Sequence, residues 1–369
     1  MRPPLVLSLI IFTLGAITVV AWHVSNNTGG TDGLSYLVIV LFLLLSMGII
    51  LLGCEIFSNG VECFGADFQL SHATAGSLLA AVGTALPETL LPLFAILFGA
   101  KGQKEGIAIG AILGAPFMLT TLAMFLLGVT TIVLRLLKHR EKPVFNANLK
   151  ALELDLVFFL ICMMLILVVS YIGKTMLNYV AAGVLLTIYG IFIKIAVNHE
   201  SEAGEEYAGS LHFEHVLACP LNRTYIIVQT LVGLLFITVG AHIFIEYITV
   251  FSVKSGISSL ILSLLIAPLA TELPEKFNSI TWTIKKKDGL AMANISGAMV
   301  FQSTIPISIG LLFTRWQLGH TEFFNITMAV AMAFILLITL KSRKRLHAFV
   351  LLLGGVFYVA YLLRIFLLQ

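Results

Sequence analysis

The residues with the most chemistry to offer lie in Ala270-Thr271-Glu272-Leu273-Pro274-Glu275-Lys276, inside an otherwise apolar run. Two carboxylates and an ammonium are costly there: on insertion scales a charge at the centre of a membrane helix costs roughly 2.5 to 3.5 kcal/mol. A related stretch, Gly83-Thr84-Ala85-Leu86-Pro87-Glu88, stands 187 positions earlier, with Thr, Leu, Pro and Glu in register. Thr84 therefore pairs with Thr271, Pro87 with Pro274 and Glu88 with Glu275. A proline inside a helix has no N–H for the carbonyl four residues back. Pro87 is expected to release the carbonyl of Gly83, and Pro274 that of Ala270. Each box then offers a backbone oxygen, a Thr hydroxyl and a carboxylate, the hard oxygen donors that calcium takes. A single Pro-Glu would fit a helix kink with its carboxylate bonded to a nearby base. Two register-matched copies favour a cation site, with Glu88 and Glu275 as its balancing charges.

The elements around these boxes must span a membrane. The chain has 369 residues, of which 59% are hydrophobic and only 11% charged, which excludes a water-soluble domain of this size. The apolar stretches lack period-2 alternation, so an outer-membrane barrel is excluded as well. A net charge of +3 gives no reason to expect a nucleic-acid partner. The expected partners are inorganic cations and the lipid bilayer, and the sequence leaves the oligomeric state open. Cys54, Cys63, Cys162 and Cys219 fit neither a zinc site nor a disulfide framework. No Ser/His, Cys/His or His-cluster spacing points to an enzyme, and no cofactor is expected.

An apolar run at 4–22 fits a retained helix better than a cleaved signal, because it is long and lacks a small-x-small end. With a short link it makes up residues 1–33. Ten further spans follow, at 34–63, 72–99, 106–137, 152–172 and 176–197, then 223–249, 256–284, 289–314, 322–340 and 346–367. They form a first repeat (34–197) and a second (223–369), joined by a hydrophilic loop at 198–222 that reads as solvated linker. Gly53 and Gly240 keep the 187 offset, Lys104-Glu105-Gly106 matches Lys287-Asp288-Gly289, and Gly114-Ala115 matches Gly297-Ala298. Five helices per repeat is an odd number, so the second copy enters the membrane from the opposite side. The fold class is thus an all-α polytopic membrane protein of two inverted five-helix repeats, with an extra N-terminal helix. Placing the 198–222 loop in the cytoplasm puts fifteen Lys and Arg on the inner side and six on the outer. That orientation satisfies the positive-inside rule for a plasma (inner) membrane.

On these boxes the sequence resembles the cation/calcium exchanger superfamily, especially its prokaryotic sodium/calcium exchanger-type members. The family box Gly-Thr-Ser-Leu-Pro-Glu is similar to Gly83–Glu88 and to Ala270–Glu275. A second family box, Gly-Asn-x-x-Gly-Ser-Asn, is similar in degraded form to Gly110–Pro116 and Ala293–Met299. The resemblance implies a calcium site between Glu88 and Glu275, supported by oxygens around Thr84 and Thr271. It also implies alternating access, with calcium exchanged for sodium or protons.

Departures bear on the coupling ion. The serines of the family boxes are Ala85, Glu272, Ala115 and Ala298 here, and a further polar ligand becomes Leu119 in one half and Gln302 in the other. Lys276 lies one turn after Glu272, at ion-pair spacing. It could neutralise Glu272 permanently, its ammonium could stand in for a transported ion, or Glu272 could carry a proton. Asn278, Ser279, Asn294, Gln302, Ser303 and Thr304 make the second repeat the more polar half, and Asn294 and Gln302 join the candidate ligands. Glu55, Glu62, His242 and Glu246 could line an ion path or anchor helix ends. The leading expectation is sodium/calcium exchange. The alternatives are a proton-coupled calcium or other cation exchanger and a non-transporting scaffold.

Overall fold

The computed structural model describes residues 35–67, 80–145, 149–199, 211–217, 222–343 and 345–367. Side chains are described within these segments except at 58, 62, 64–67, 80–87, 197–199, 215–217, 270, 274 and 366. The expected N-terminal helix at 4–22, its link, Cys219 and most of the 198–222 loop lie outside the described residues.

Apolar runs of this length leave the backbone no hydrogen-bond partner in lipid except itself, and the described chain is accordingly almost all helix. In order the helices are α1 (Tyr36–Asp67), α2 (Ala80–Phe98), α3 (Lys104–Met118), α4 (Met124–Leu136), α5 (Leu149–Ile172) and α6 (Thr175–His199). A short α7 (His212–Leu217) precedes α8 (Arg223–Ser255), α9 (Ser259–Thr271), α10 (Leu273–Ile284), α11 (Asp288–Gln302) and α12 (Ile305–Phe313). The chain closes with α13 (His320–Arg343), α14 (Ala348–Leu351) and α15 (Leu353–Leu367). One two-residue antiparallel pair, Val144–Phe145 with Leu346–His347, departs from the all-α expectation.

The elements follow the ten expected spans. Eight continuous helices, α3–α4, α11–α12 and α14–α15 each counting as one, are long and apolar enough to cross a membrane among the described residues. The stretch carrying the second Pro-Glu box is instead broken into α9 and α10, with its apolar piece at Ser259–Leu269. Broken helices at membrane depth are a mark of ion and substrate sites in inverted-repeat transporters.

The chain divides into two compact units, Met1–Ala108 with Glu200–Ile266, and Ile109–His199 with Ala267–Gln369. In the first, α1 and α8 pack along their length and α2 lies against both. Glycines set how closely α1 and α8 approach. A Cβ on Gly53 would lie 2.7 Å from the Ile237 nitrogen and 2.9 Å from the Gly233 oxygen. A Cβ on Gly240 would lie 3.0 Å from the Ile50 nitrogen and 3.1 Å from the Ser46 oxygen. Adding the 187 offset to Gly53, Ile50 and Ser46 gives Gly240, Ile237 and Gly233. The two sets of contacts are therefore one contact made twice, as a two-fold axis requires. Small residues that let backbones touch are the usual means of tight helix association in lipid.

The part of α1 that carries Glu55 and Asn59 is tied to α7. Asn59 Oδ1 accepts from the His212 N–H at 3.0 Å, and Gln229 Oε1 accepts from the Phe213 N–H at 2.9 Å. His212 Nε2 lies 3.3 Å from Glu55 Oε1, and Glu55 is two-thirds exposed. Glu55 thus links α1 to α7, and part of the 198–222 segment is a built element, not plain linker. His242 is exposed, and Glu62 lies outside the described side chains.

In the second unit α10 packs on α4 and α11, α11 on α5, α12 on α6, and α13 on α5. Two irregular turns interrupt the helices that follow the boxes. In the first repeat a π-turn, Leu119–Ala123, joins α3 to α4 just after Pro116. In the second, Ser303 and Thr304 separate α11 from α12 just before Pro306. Leu119 and Gln302 are equivalent positions, so both repeats break at the same place. Prolines account for both breaks, since each removes one backbone donor from the ladder. Hydroxyls take up carbonyls nearby: Thr121 Oγ1 donates to Phe117 O at 2.6 Å, and Thr304 Oγ1 to Val300 O at 2.9 Å.

Candidate cation site

The second box is built at a helix break. Helix α9 stops at Thr271, Glu272 takes a non-helical conformation (φ −98°, ψ 6°), and α10 starts at Leu273. Pro274 falls in the first turn of α10, where a missing N–H costs least. This corrects the expected mid-helix position: Pro274 opens a new helix, although it still offers no N–H to the Ala270 carbonyl. The first box differs again. Helix α2 continues from Ala80 through Pro87 to Phe98, so Pro87 stands inside a helix, where it has no N–H for the Gly83 carbonyl. The side chains of Gly83, Thr84 and Pro87 lie outside the described ones. Glu88 is buried at 4% exposure on α2.

Polar side chains gather on one face of α10. Glu275, Lys276, Ser279 and Thr283 are buried, while Phe277, Asn278 and Thr281 are exposed. Asn278 therefore leaves the cluster that the sequence placed it in. Helix α11 supplies the facing groups. Asn294 Nδ2 donates to the Glu275 carbonyl at 3.1 Å and to Ser279 Oγ at 3.0 Å. Thr271, 3% exposed, donates its hydroxyl to the Ala267 carbonyl at 3.3 Å, which leaves that oxygen able to accept or to coordinate. Of the predicted ligands in the second repeat, Thr271, Glu272, Glu275, Asn294 and Gln302 come together here. The Ala270 side chain lies outside the described ones.

Lys276 and Glu272 form a buried ion pair of 2.7 Å, at 4% and 0% exposure. The Lys276 N–H also donates to the Glu272 carbonyl at 3.2 Å, so backbone and side chain both bridge the break. This is the ion pair that the i,i+4 spacing predicts. The pair is not saturated. Glu272 Oε1, Glu275 Oε2 and both amide atoms of Gln302 are buried with no hydrogen-bond partner among the described residues. Gln302 lies beside the Glu272 carboxyl without closing a hydrogen bond of normal length. Buried polar atoms are nearly always satisfied in native proteins, so such a cluster marks a place for water or an ion. Carboxylate and amide oxygens brought together from two helix breaks suit a hard cation.

Residues that the sequence reading did not single out are Thr120 and Thr121, equivalent to Ser303 and Thr304 at the same 183 offset that pairs Leu119 with Gln302. The signal was present as paired hydroxyls after the second box. Their hydroxyls bond to carbonyls of their own helices, so they shape the turns beside the site.

Two five-helix repeats of opposite orientation, with buried carboxylates at the break between α9 and α10, are the architecture of an inverted-repeat membrane transporter. Residues 38–198 and 225–367 match the sodium/calcium exchanger protein family, and the chain belongs to that family. It is 23% identical over 309 residues to the inner membrane protein YrbG of Escherichia coli K12, covering 82% of this chain and 89% of that one. Its fold is similar to that of the H+/Ca2+ exchanger CAX (TM-score 0.74, 18% identity, 97% of this chain and 87% of that one). It is also similar to that of the sodium-calcium exchanger NCX_Mj (TM-score 0.56, 20% identity, 88% and 98%).

Proposed function

We propose that this protein is a calcium antiporter that exchanges calcium for sodium or protons by alternating access. The carboxylates of Glu88 and Glu275 carry the ion. The carbonyls of Gly83 and Ala270, the hydroxyls of Thr84 and Thr271, and the side chains of Glu272, Asn294 and Gln302 supply further oxygens. The observation that carries the reading is Glu275, 2% exposed at the start of α10, with Oε2 unpartnered among the described residues. A carboxylate held in that state in a membrane protein needs a cation. Membership of the exchanger family supplies the reaction class. The chain works in the plasma (inner) membrane with the 198–222 loop in the cytoplasm, as its basic residues favour.

Sodium coupling is the first reading. Proton coupling is the second, favoured by Ala85, Ala115, Ala298 and Leu119, which remove oxygens that sodium would use. Calcium uptake into vesicles holding the purified protein separates them. An outward sodium gradient drives uptake in the first case and an outward proton gradient in the second. Uptake under neither gradient refutes the calcium reading. Uptake that survives Glu275→Gln refutes the site.

A further inference from the structure

The family's serine position in the second box holds Glu272, and the chain answers that extra charge from within. Glu272 is fully buried and its carboxylate meets Lys276 at 2.7 Å across the break between α9 and α10. With Glu275 the box holds two negative charges and one positive, the same net charge of −1 that Glu275 alone would give. A lysine ammonium is a compact point charge on a flexible stem, close in kind to a monovalent cation. Here the stem is anchored one turn away on the same backbone, so the charge cannot leave. Among the described residues Glu272 Oε1 and the Gln302 amide beside it have no hydrogen-bond partner, so the place holds oxygen donors beyond the one that the ammonium uses.

We propose that Lys276 is a tethered coupling cation: its ammonium holds on Glu272 the place that a mobile monovalent cation would otherwise fill in each transport cycle. This rests on the calcium reading above and adds to it the charge carried per cycle. With Lys276 in place, the mobile ions need neutralise only Glu88 and Glu275. One calcium or two monovalent cations do so, and the exchange is electroneutral. Without the tether Glu272 recruits a third monovalent cation, and each cycle moves one net charge.

The test is the final calcium accumulation in vesicles holding the full chain, with the membrane potential clamped by a potassium gradient and valinomycin. One uncompensated charge per cycle shifts that accumulation by about 50-fold for each 100 mV, whereas an electroneutral cycle shifts it not at all. The wild type is expected to show no shift. Lys276→Met is expected to show the full shift, with greater uptake when the vesicle interior is positive. The double variant Glu272→Gln/Lys276→Met, which removes both charges and so relieves any folding defect of the single one, is expected to be electroneutral again. A voltage-dependent accumulation in the wild type or the double variant overturns the tether whether or not Lys276→Met folds, as does an unshifted Lys276→Met. Voltage-dependent calcium exchange in the wild type leaves the calcium reading standing. Absence of calcium movement under both sodium and proton gradients overturns both.

Discussion

Removing Lys276 should destabilise the protein by more than removing it together with Glu272. The two groups are 4% and 0% exposed and 2.7 Å apart, so neither has water to fall back on. Breaking a buried pair from one side leaves an uncompensated charge and costs about 3–5 kcal/mol, whereas replacing both partners with neutral groups of similar size is often close to neutral. An unfolding entropy of about 2.1 cal/mol/K per residue gives roughly 0.8 kcal/mol/K for this chain, so each single variant should melt about 4–7 °C lower. Glu272→Gln/Lys276→Met should recover most of that loss, giving a coupling energy of several kcal/mol in the double-mutant cycle. Tryptophan fluorescence suits the assay because Trp282 lies on α10 itself and Trp316 is buried in the same unit. Melting of the purified full chain in detergent, all variants at one scan rate, gives the comparison. A Lys276→Met variant that melts with the wild type would refute the buried-pair argument. So would a double variant that melts as low as the singles.

Two other substitutions probe neighbouring parts of the fold. Asn294→Ala deletes two hydrogen bonds that hold α11 to the Glu275 carbonyl and Ser279, at 3.1 and 3.0 Å. A loss of about 1–2 kcal/mol should raise the half-saturating calcium concentration roughly 5- to 30-fold in vesicle uptake, and an unchanged value would remove Asn294 from the site. Gly53→Ala and Gly240→Ala should lower the melting temperature by similar amounts, because each new Cβ meets the equivalent nitrogen and oxygen of the facing helix. Overpacking of this kind costs about 1–3 kcal/mol, and a large inequality between the two would contradict the two-fold contact.

Much of this protein was legible in its sequence, because lipid leaves a chain few options. A backbone that can satisfy itself only as helix turns apolar runs into spans, and an odd number of spans per repeat fixes the inversion. The 187 offset linked Gly53 to Gly240 before any contact was known, and the i,i+4 spacing of Glu272 and Lys276 announced their ion pair. Tertiary structure decided what periodicity cannot encode. Pro87 and Pro274 read alike, yet α2 runs through the first while the second opens a new helix, because a proline breaks or merely bends a helix according to the packing around it. The turns at Leu119–Ala123 and Ser303–Thr304 were likewise invisible as such. Asn294 became a partner of Glu275 only when α11 was laid against α10, and Asn278 left the cluster only when the exposed face of α10 was known. Local spacing determines which groups share a helix, and packing between helices alone determines which of them face a common place and remain there without a partner.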